Sequence, residues 1–398
     1  MCGAGRGGAG LARFGAAVQR GGTAWFVAQG VRLRSAVVTT LYKAVAAQRR
    51  RLCPSRRRTR NAVRSLVTGS TGYVGGRLIP RLLAAGHQVR AMARDPRHLQ
   101  EVPWVDDVDV VAADLSDPDS LAPAFADVDV VYYLVHSMGS ATDFSDAEAD
   151  AAQHAVTAAR AAGVERLIYL GGLHPRTGEL SEHLRSRTVV GDTLLESGID
   201  TVALQAGVVI GAGSASFEMI RLLATALPIL PVPTYARHLV QPIAIDDVLY
   251  YLVEAATASV PESRNWDIGG PNVLRYRDML GDFAETAGLP RRRFVSVPFV
   301  TPALSSRGIA FLTPMPVDLV RPLVESLRHD AVMKDRDIDT VISPPPDGLT
   351  TYRESVRKAL RVPSDADASV VSADAAQLLD TDPSWAHHGR NPDSGRAS

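Results

Sequence analysis

Leu66-Val67-Thr68-Gly69-Ser70-Thr71-Gly72-Tyr73-Val74-Gly75 is the stretch whose reading decides the fold of this chain. A short apolar run breaks into three glycines spaced three apart, which reads as a strand, a glycine turn and a helix start. Folds use that order to bring bare backbone amides up to a pyrophosphate. Gly69 permits the turn, Gly72 lets the backbone reach the phosphates, and Gly75 lets the helix pack closely on the strand. Thr71, Tyr73 and Val74 offer amides or a hydroxyl beside them.

Downstream, apolar runs and helical segments alternate. Leu66 to Thr68 is a predicted strand, and Val74 to Ala85 a helix closed by Gly86 and carrying Pro80. His87 to Ala93 is a second strand, with Asp95-Pro96 as N-cap and first-turn proline of the next helix. Val108 to Ala112, Val128 to Val135, Arg166 to Leu170 and Thr201 to Val209 give four more strands. Helices from Ser145 to Ala162 and from Arg187 to Ser197 lie between them. This alternation predicts an α/β fold, a doubly wound parallel Rossmann sheet with a smaller C-terminal substrate lobe. The expected divisions are a basic leader over 1–64, a dinucleotide-binding domain over 65–275 with lobe insertions after 211, a lobe over 276–361, and an unstructured tail over 362–398. Within the lobe region Pro228 to Tyr235 reads as a proline-punctuated loop, and Val295 to Pro316 as an apolar, proline-broken run.

Charge is distributed unevenly. Residues 1–64 hold thirteen Arg and one Lys and no acid, so of 43 basic and 43 acidic side chains the remaining chain keeps 29 and 43, a balance of −14. An acidic body argues against nucleic acid as its partner. The leader has the composition of a transit peptide or a nucleic-acid-binding arm, and equally that of GC-rich codons read from a misplaced start; a disordered or artefactual leader is the expectation. Both cysteines, Cys2 and Cys53, fall in it, so the body has neither a disulfide framework nor a cysteine nucleophile. No metal-ligand spacing is present. No run of about 18 uninterrupted apolar residues occurs, so no spanning segment is expected and the cytoplasm is the expected compartment.

At the end of the second strand, where an acid would bind the ribose of NAD, stands Arg94. An arginine there can pair with a 2′-phosphate, which favours NADP over NAD. Asp114-Leu115 after the third strand suits an adenine edge and a packing face; a turn acid is the alternative for Asp114. Phe217, Met219, Leu222, Leu223, Leu227 and Leu230 are candidates for an apolar pocket wall, or else simply core.

Taken together, Thr68-Gly69-x-x-Gly72-x-x-Gly75, Arg94, Asp114-Leu115 and the apolar fourth strand resemble the atypical short-chain dehydrogenase/reductases, in particular the NmrA-like NAD(P)H-binding group. Tyr133-Leu134-Val135-His136-Ser137-Met138-Gly139 and Gln241-Pro242-Ile243-Ala244-Ile245-Asp246-Asp247-Val248 are similar to a branch resembling the NADH-binding accessory subunit of respiratory complex I. The resemblance places Val135 and Gly207 against the cofactor. It also implies a serine after the fifth strand and a tyrosine four residues before a lysine. Here the strand runs into Gly171-Gly172-Leu173, and the other two positions fall on His183 and Arg187.

Arg187 can still hold ribose hydroxyls, and a histidine with an ordinary pKa could donate a proton as imidazolium, so His183 is a candidate acid. His136, at the end of the fourth strand, is a second candidate. The expected activity is NADP-dependent reduction of an apolar carbonyl, enone or quinone. The alternative is a catalytically silent dinucleotide-binding regulatory or assembly protein with a protein partner.

Overall fold

In the computed structural model, which describes residues 62–135, 144–173, 181–298, 300–361 and 375–390, the apolar run before the glycines is strand β1 (Arg64–Val67). Helix α1 (Tyr73–Ala84) follows the turn, then β2 (Gln88–Ala93) and β3 (Asp109–Ala112). A short α2 (Leu121–Phe125) leads to β4 (Val130–Tyr133), α3 (Phe144–Ala162), β5 (Arg166–Gly172), α4 (Glu182–Leu195) and β6 (Asp200–Ala206). Beyond it come β7 (Val209–Ile210), α5 (Ala215–Ala226), β8 (Ile229–Pro233), β9 (Leu239–Val240), β10 (Ile243–Ala244) and α6 (Ile245–Ala255). The last segments are β11 (Arg264–Ile268), β12 (Leu274–Arg275), α7 (Tyr276–Thr286), β13 (Arg293–Val297), α8 (Pro302–Leu312), α9 (Val317–Ser326), α10 (Tyr352–Leu360) and a four-residue α11 (Ser384–His387).

Seven strands form one parallel sheet in the order β11-β6-β5-β4-β1-β2-β3. The order reverses between β1 and β4, and ligands of open α/β sheets bind in the crevice beyond the strand ends at such a reversal. Adjacent strand residues go to opposite faces, as the two-residue period of a pleated strand requires. Val67, Tyr132 and Ile168 join a core with Leu78, Ile79 and Leu82 of α1 and Val248 and Leu252 of α6. Their neighbours Leu66, Tyr133 and Tyr169 join another with Ala152 and Val156 of α3 and Val190 and Leu194 of α4. With both faces covered, the strands can be apolar throughout, which is why they read as unbroken runs.

A further core gathers Phe217 and Ile220 of α5, Phe283 of α7, Val320 and Val324 of α9 and Val356 of α10. Phe217, Met219, Leu222, Leu223 and Leu230 are buried in it and Leu227 packs partly buried against it, so of the two readings of this stripe, pocket wall or core, the structure shows core. The segment expected as a loop over Pro228 to Tyr235 contains β8, paired in parallel with β13 in a two-stranded ribbon. Pro231 and Pro233 are tolerated because each strand of such a ribbon has an open edge that needs no donor.

The tail departs from expectation over residues 375–390. The buried Arg77 guanidinium on α1 makes two bonds to Asp382, at 2.6 and 2.9 Å, and donates to the carbonyls of Ala375, Gln377 and Ala212. A second anchor is Glu218, fully buried on α5, which accepts from Arg221 at 2.5 Å and Arg390 at 2.7 Å. Arg221 also donates to the carbonyls of Ala386 and His388. This strap is held by paired charges and backbone carbonyls, a device that leaves no hydrophobic period in the sequence.

Candidate cofactor and substrate site

At the end of β1 the three glycines are needed for three different reasons. Gly69 has φ +70°, and a Cβ there would stand 2.8 Å from the Leu134 carbonyl oxygen on β4's extension. A Cβ on Gly75 would stand 2.2 Å from the Gly69 carbonyl oxygen, so α1 can pack against the turn only with glycine at this position. Gly72 is the least crowded, with only the Gly69 carbonyl oxygen at 3.1 Å, and is exposed. It is the N-cap of α1 and makes no side-chain cap bond. The first amides of a helix have no intrahelical acceptor and sit at its positive end, so the α1 terminus is suited to an anion. Ser70 fixes the turn by donating to the Met92 carbonyl at 2.7 Å, and the Thr68 hydroxyl bridges the Tyr132 carbonyl and the Leu134 amide.

The expected cofactor residues of the next strands fall in different surroundings. Arg94 is exposed just beyond β2 and forms no ion pair among the described residues, while Asp95 caps the next turn and pairs with Arg97. That pairing holds the Asp95 carboxyl at about 2. Asp114 accepts from the Ser116 amide at 2.9 Å, the turn-acid arrangement. The Leu115 side chain is buried with Phe125 and Val156. Val135 is half-buried beside the Gly69 turn, its amide 3.2 Å from where a Gly69 Cβ would stand. His136 lies outside the described residues.

A cavity of about 950 Å³ opens from the glycine turn. Gly172, Leu173, His183, Leu184, Arg187 and Gly207 line one side of it. Leu319, Pro322 and Leu323 of α9, with Leu379, Pro383 and Trp385 of the strap, line another. The α9 and strap residues were missed in the sequence because only tertiary packing brings them to the glycines. Gly207 is at the cavity for a steric reason as well: a Cβ there would stand 2.1 Å from the Gln241 carbonyl oxygen. The Gln241 side chain in turn donates to the Gly270 carbonyl and accepts from the Met333 amide, tying three segments beneath the site.

Helix α4 begins at Glu182, five residues before the expected start, because Ser181 accepts from the Leu184 amide as N-cap. His183 and Arg187 therefore sit one turn apart on a single face. Ser186, buried between them, donates to Glu148 of α3 and fixes that face toward the cavity. The Arg187 guanidinium comes within 3.3 Å of where a Gly172 Cβ would stand, and its Nε is buried without a hydrogen-bond partner among the described residues. His183 is lowered to about 4, first by burial and then by the Arg187 charge. At neutral pH it is an uncharged imidazole, so the expectation of an imidazolium donor does not hold.

Tyr73 lies under the Arg77 guanidinium, 4.1 Å from ring centroid to carbon, with its hydroxyl buried and without a hydrogen-bond partner among the described residues. Burial raises its pKa, so the phenol stays protonated. Among the described residues no three His, Cys, Asp or Glu side chains gather as metal ligands, and no helix is long and apolar enough to cross a membrane.

The sheet order, the glycine cradle at its reversal and the uncapped α1 terminus define a Rossmann-type domain. Residues 69–213 match the family model described as NAD(P)H-binding. An uncharacterized protein of Mycobacterium tuberculosis is 28% identical over 216 residues, 54% of this chain and 22% of that protein. The chain thus spans about a fifth of that relative's length. A mitochondrial NADH dehydrogenase [ubiquinone] 1 alpha subcomplex subunit 9 of Arabidopsis thaliana is 23% identical over 295 residues, 69% of this chain and 73% of that subunit. Among solved structures, the NADPH complex of an NADPH-dependent quinone oxidoreductase from Escherichia coli matches with a TM-score of 0.58 at 18% identity, over 73% of this chain and 98% of that one. At that identity the likeness is one of fold.

Proposed function

We propose that the chain is an NADP(H)-dependent reductase of an apolar carbonyl, enone or quinone. The observation that carries the reading is the apolar cavity that takes in the glycine turn and Arg187, whose Nε has no hydrogen-bond partner among the described residues. The residues present fit a dinucleotide: an uncapped helix terminus for the pyrophosphate, an open Gly72 for close approach, and Arg187 for the ribose beside Gly172. Arg94, exposed and without an ion pair among the described residues, would take a 2′-phosphate. NADP(H), when bound, supplies the hydride. The substrate oxygen takes its proton from solvent, and neutral His183 donates an N–H hydrogen bond that orients that oxygen. Leu319, Leu323 and Trp385 line the cavity and offer apolar contacts to the rest of the substrate. The cytoplasm is the proposed compartment.

A second reading is favoured by the lowered His183 pKa, together with the absence of the family's serine, tyrosine and lysine: a dinucleotide-binding protein in which catalysis is lost. Full-length protein assayed for NADPH consumption against quinones, enones and aldehydes, with NADPH affinity measured in parallel, separates the two. Turnover of one class, with NADPH affinity weakened about tenfold or more in Arg187→Met, is the expected result. Tight NADPH binding with no turnover of any class would establish the silent binder.

A further inference from the structure

Helix α8 is built inside out. Its one fully buried residue is Ser306, which bonds back to the Pro302 carbonyl at 2.7 Å, whereas Phe311 is 90% and Leu304 59% exposed. Ala303, Leu304, Arg307, Gly308, Phe311 and Leu312 share its solvent face at helical spacing, so the amphipathic rule is reversed. The β8–β13 ribbon is connected to it, through Tyr235 bonded to Ser305 at 2.6 Å, and adds exposed Ile229 and Val295. A large exposed apolar surface of this kind marks an interaction site.

Charge identifies the occupant. From Thr286 to Val317 the chain has four arginines, 291, 292, 293 and 307, and no acid, in a body whose balance is −14. Arg291, Arg293 and Arg307 are exposed and form no ion pair among the described residues. The acid-free leader carries the same sign of charge as this face, so charge does not favour it as the occupant. A second copy pairing through a two-fold axis would set these arginines against one another. An apolar face edged by cations and free of acids matches an anionic lipid surface.

We propose that α8 and the neighbouring ribbon dock on an anionic bilayer, with Leu304 and Phe311 entering the interface and Arg291, Arg293 and Arg307 meeting the headgroups. The same helical hairpin serves the cavity, since α9, against which α8 packs, contributes Leu319, Pro322 and Leu323 to its wall. A membrane-dissolved ligand would reach the site along that hairpin without crossing water.

The test uses the full chain and sedimentation with vesicles of phosphatidylcholine alone or mixed with phosphatidylglycerol. Binding is expected only to the anionic vesicles. The double variant Leu304→Ser/Phe311→Ser is expected to weaken it by roughly tenfold or more, and Arg293→Glu/Arg307→Glu by a similar factor. These side chains are exposed, so unchanged thermal unfolding checks that the variants fold. Because the leader is itself cationic, a Phe311→Trp variant reports on the face directly: its emission should be quenched by lipids brominated in the acyl chains. Anionic-vesicle binding that is unaffected by the double variant and leaves the Phe311→Trp fluorescence unquenched would overturn the proposal and assign binding to the leader. A dimer dissolved by the same double variant, with no vesicle binding, would overturn it in favour of a second copy.

Discussion

One part of the cavity lining is a single continuous stretch, Ser70 to Arg77, while another comes from α4, α9 and the strap, drawn from across the chain. The first is set by sterics: where a Cβ would stand 2.2 Å from a carbonyl, only glycine fits and the local conformation follows. The second is set by pairs formed between distant residues, above all Arg77 with Asp382, and none of its members has the required position on its own. A cofactor common to many proteins can be held by the first kind of wall. The ligand particular to this one must be selected by the second.

The contrast is open to direct attack. The largest effect is expected at the strap. Asp382→Ala would leave Arg77 buried without its carboxylate, which costs on the order of 3–5 kcal/mol and is read as a lowered denaturation midpoint. The paired change Arg77→Met/Asp382→Leu should recover most of that loss; failure to recover it would mean that the ion pair does more than cancel its own desolvation. Gly75→Ala attacks the backbone wall and is expected to destabilise by about 1–3 kcal/mol through overpacking against Gly69, with NADPH affinity falling alongside stability.

Smaller effects are expected at the edges of the site. Arg94→Ala should lower the preference for NADPH over NADH by about tenfold or more without changing the unfolding midpoint. Equal preference in wild type and variant would remove the NADP assignment. His183 titrates near 4 in the folded chain against an ordinary 6.5, so between those values the unfolded chain binds a proton that the folded chain refuses. Its contribution is therefore present above about pH 6.5, declines as pH falls, and levels off below about 4. Subtracting the pH–stability curve of His183→Gln from that of the wild type isolates this slope.

The glycine cradle, the parallel sheet and the helices on both its faces were legible because they depend on residues within a few positions of one another. Gly69, Gly72 and Gly75 announce a turn, and Val130 to Tyr133 a doubly covered strand, without reference to anything distant. The start of α4 was misplaced because Ser181 acts as a cap by one hydrogen bond that periodicity does not register. The strap was missed for a stronger reason. Asp380 to Asp382 read as solvated acids, and nothing local says that one of them lies buried against Arg77, 305 residues away. The same holds for His183: its type suggests a physiological proton donor, and its burial beside Arg187 decides otherwise.

The central claim is that a dinucleotide lies on the α1 terminus over Gly72. Of the three glycines of the turn, Gly72 is the one whose replacement the fold tolerates best, since a Cβ there meets only one atom, at 3.1 Å. Titrating NADPH into wild type and Gly72→Val while following nucleotide fluorescence, with thermal unfolding measured on the same samples, tests it most directly. The account predicts wild-type binding and a variant that unfolds within a few degrees of wild type yet binds NADPH at least about a hundredfold more weakly. Equal NADPH affinity in the two proteins would contradict it.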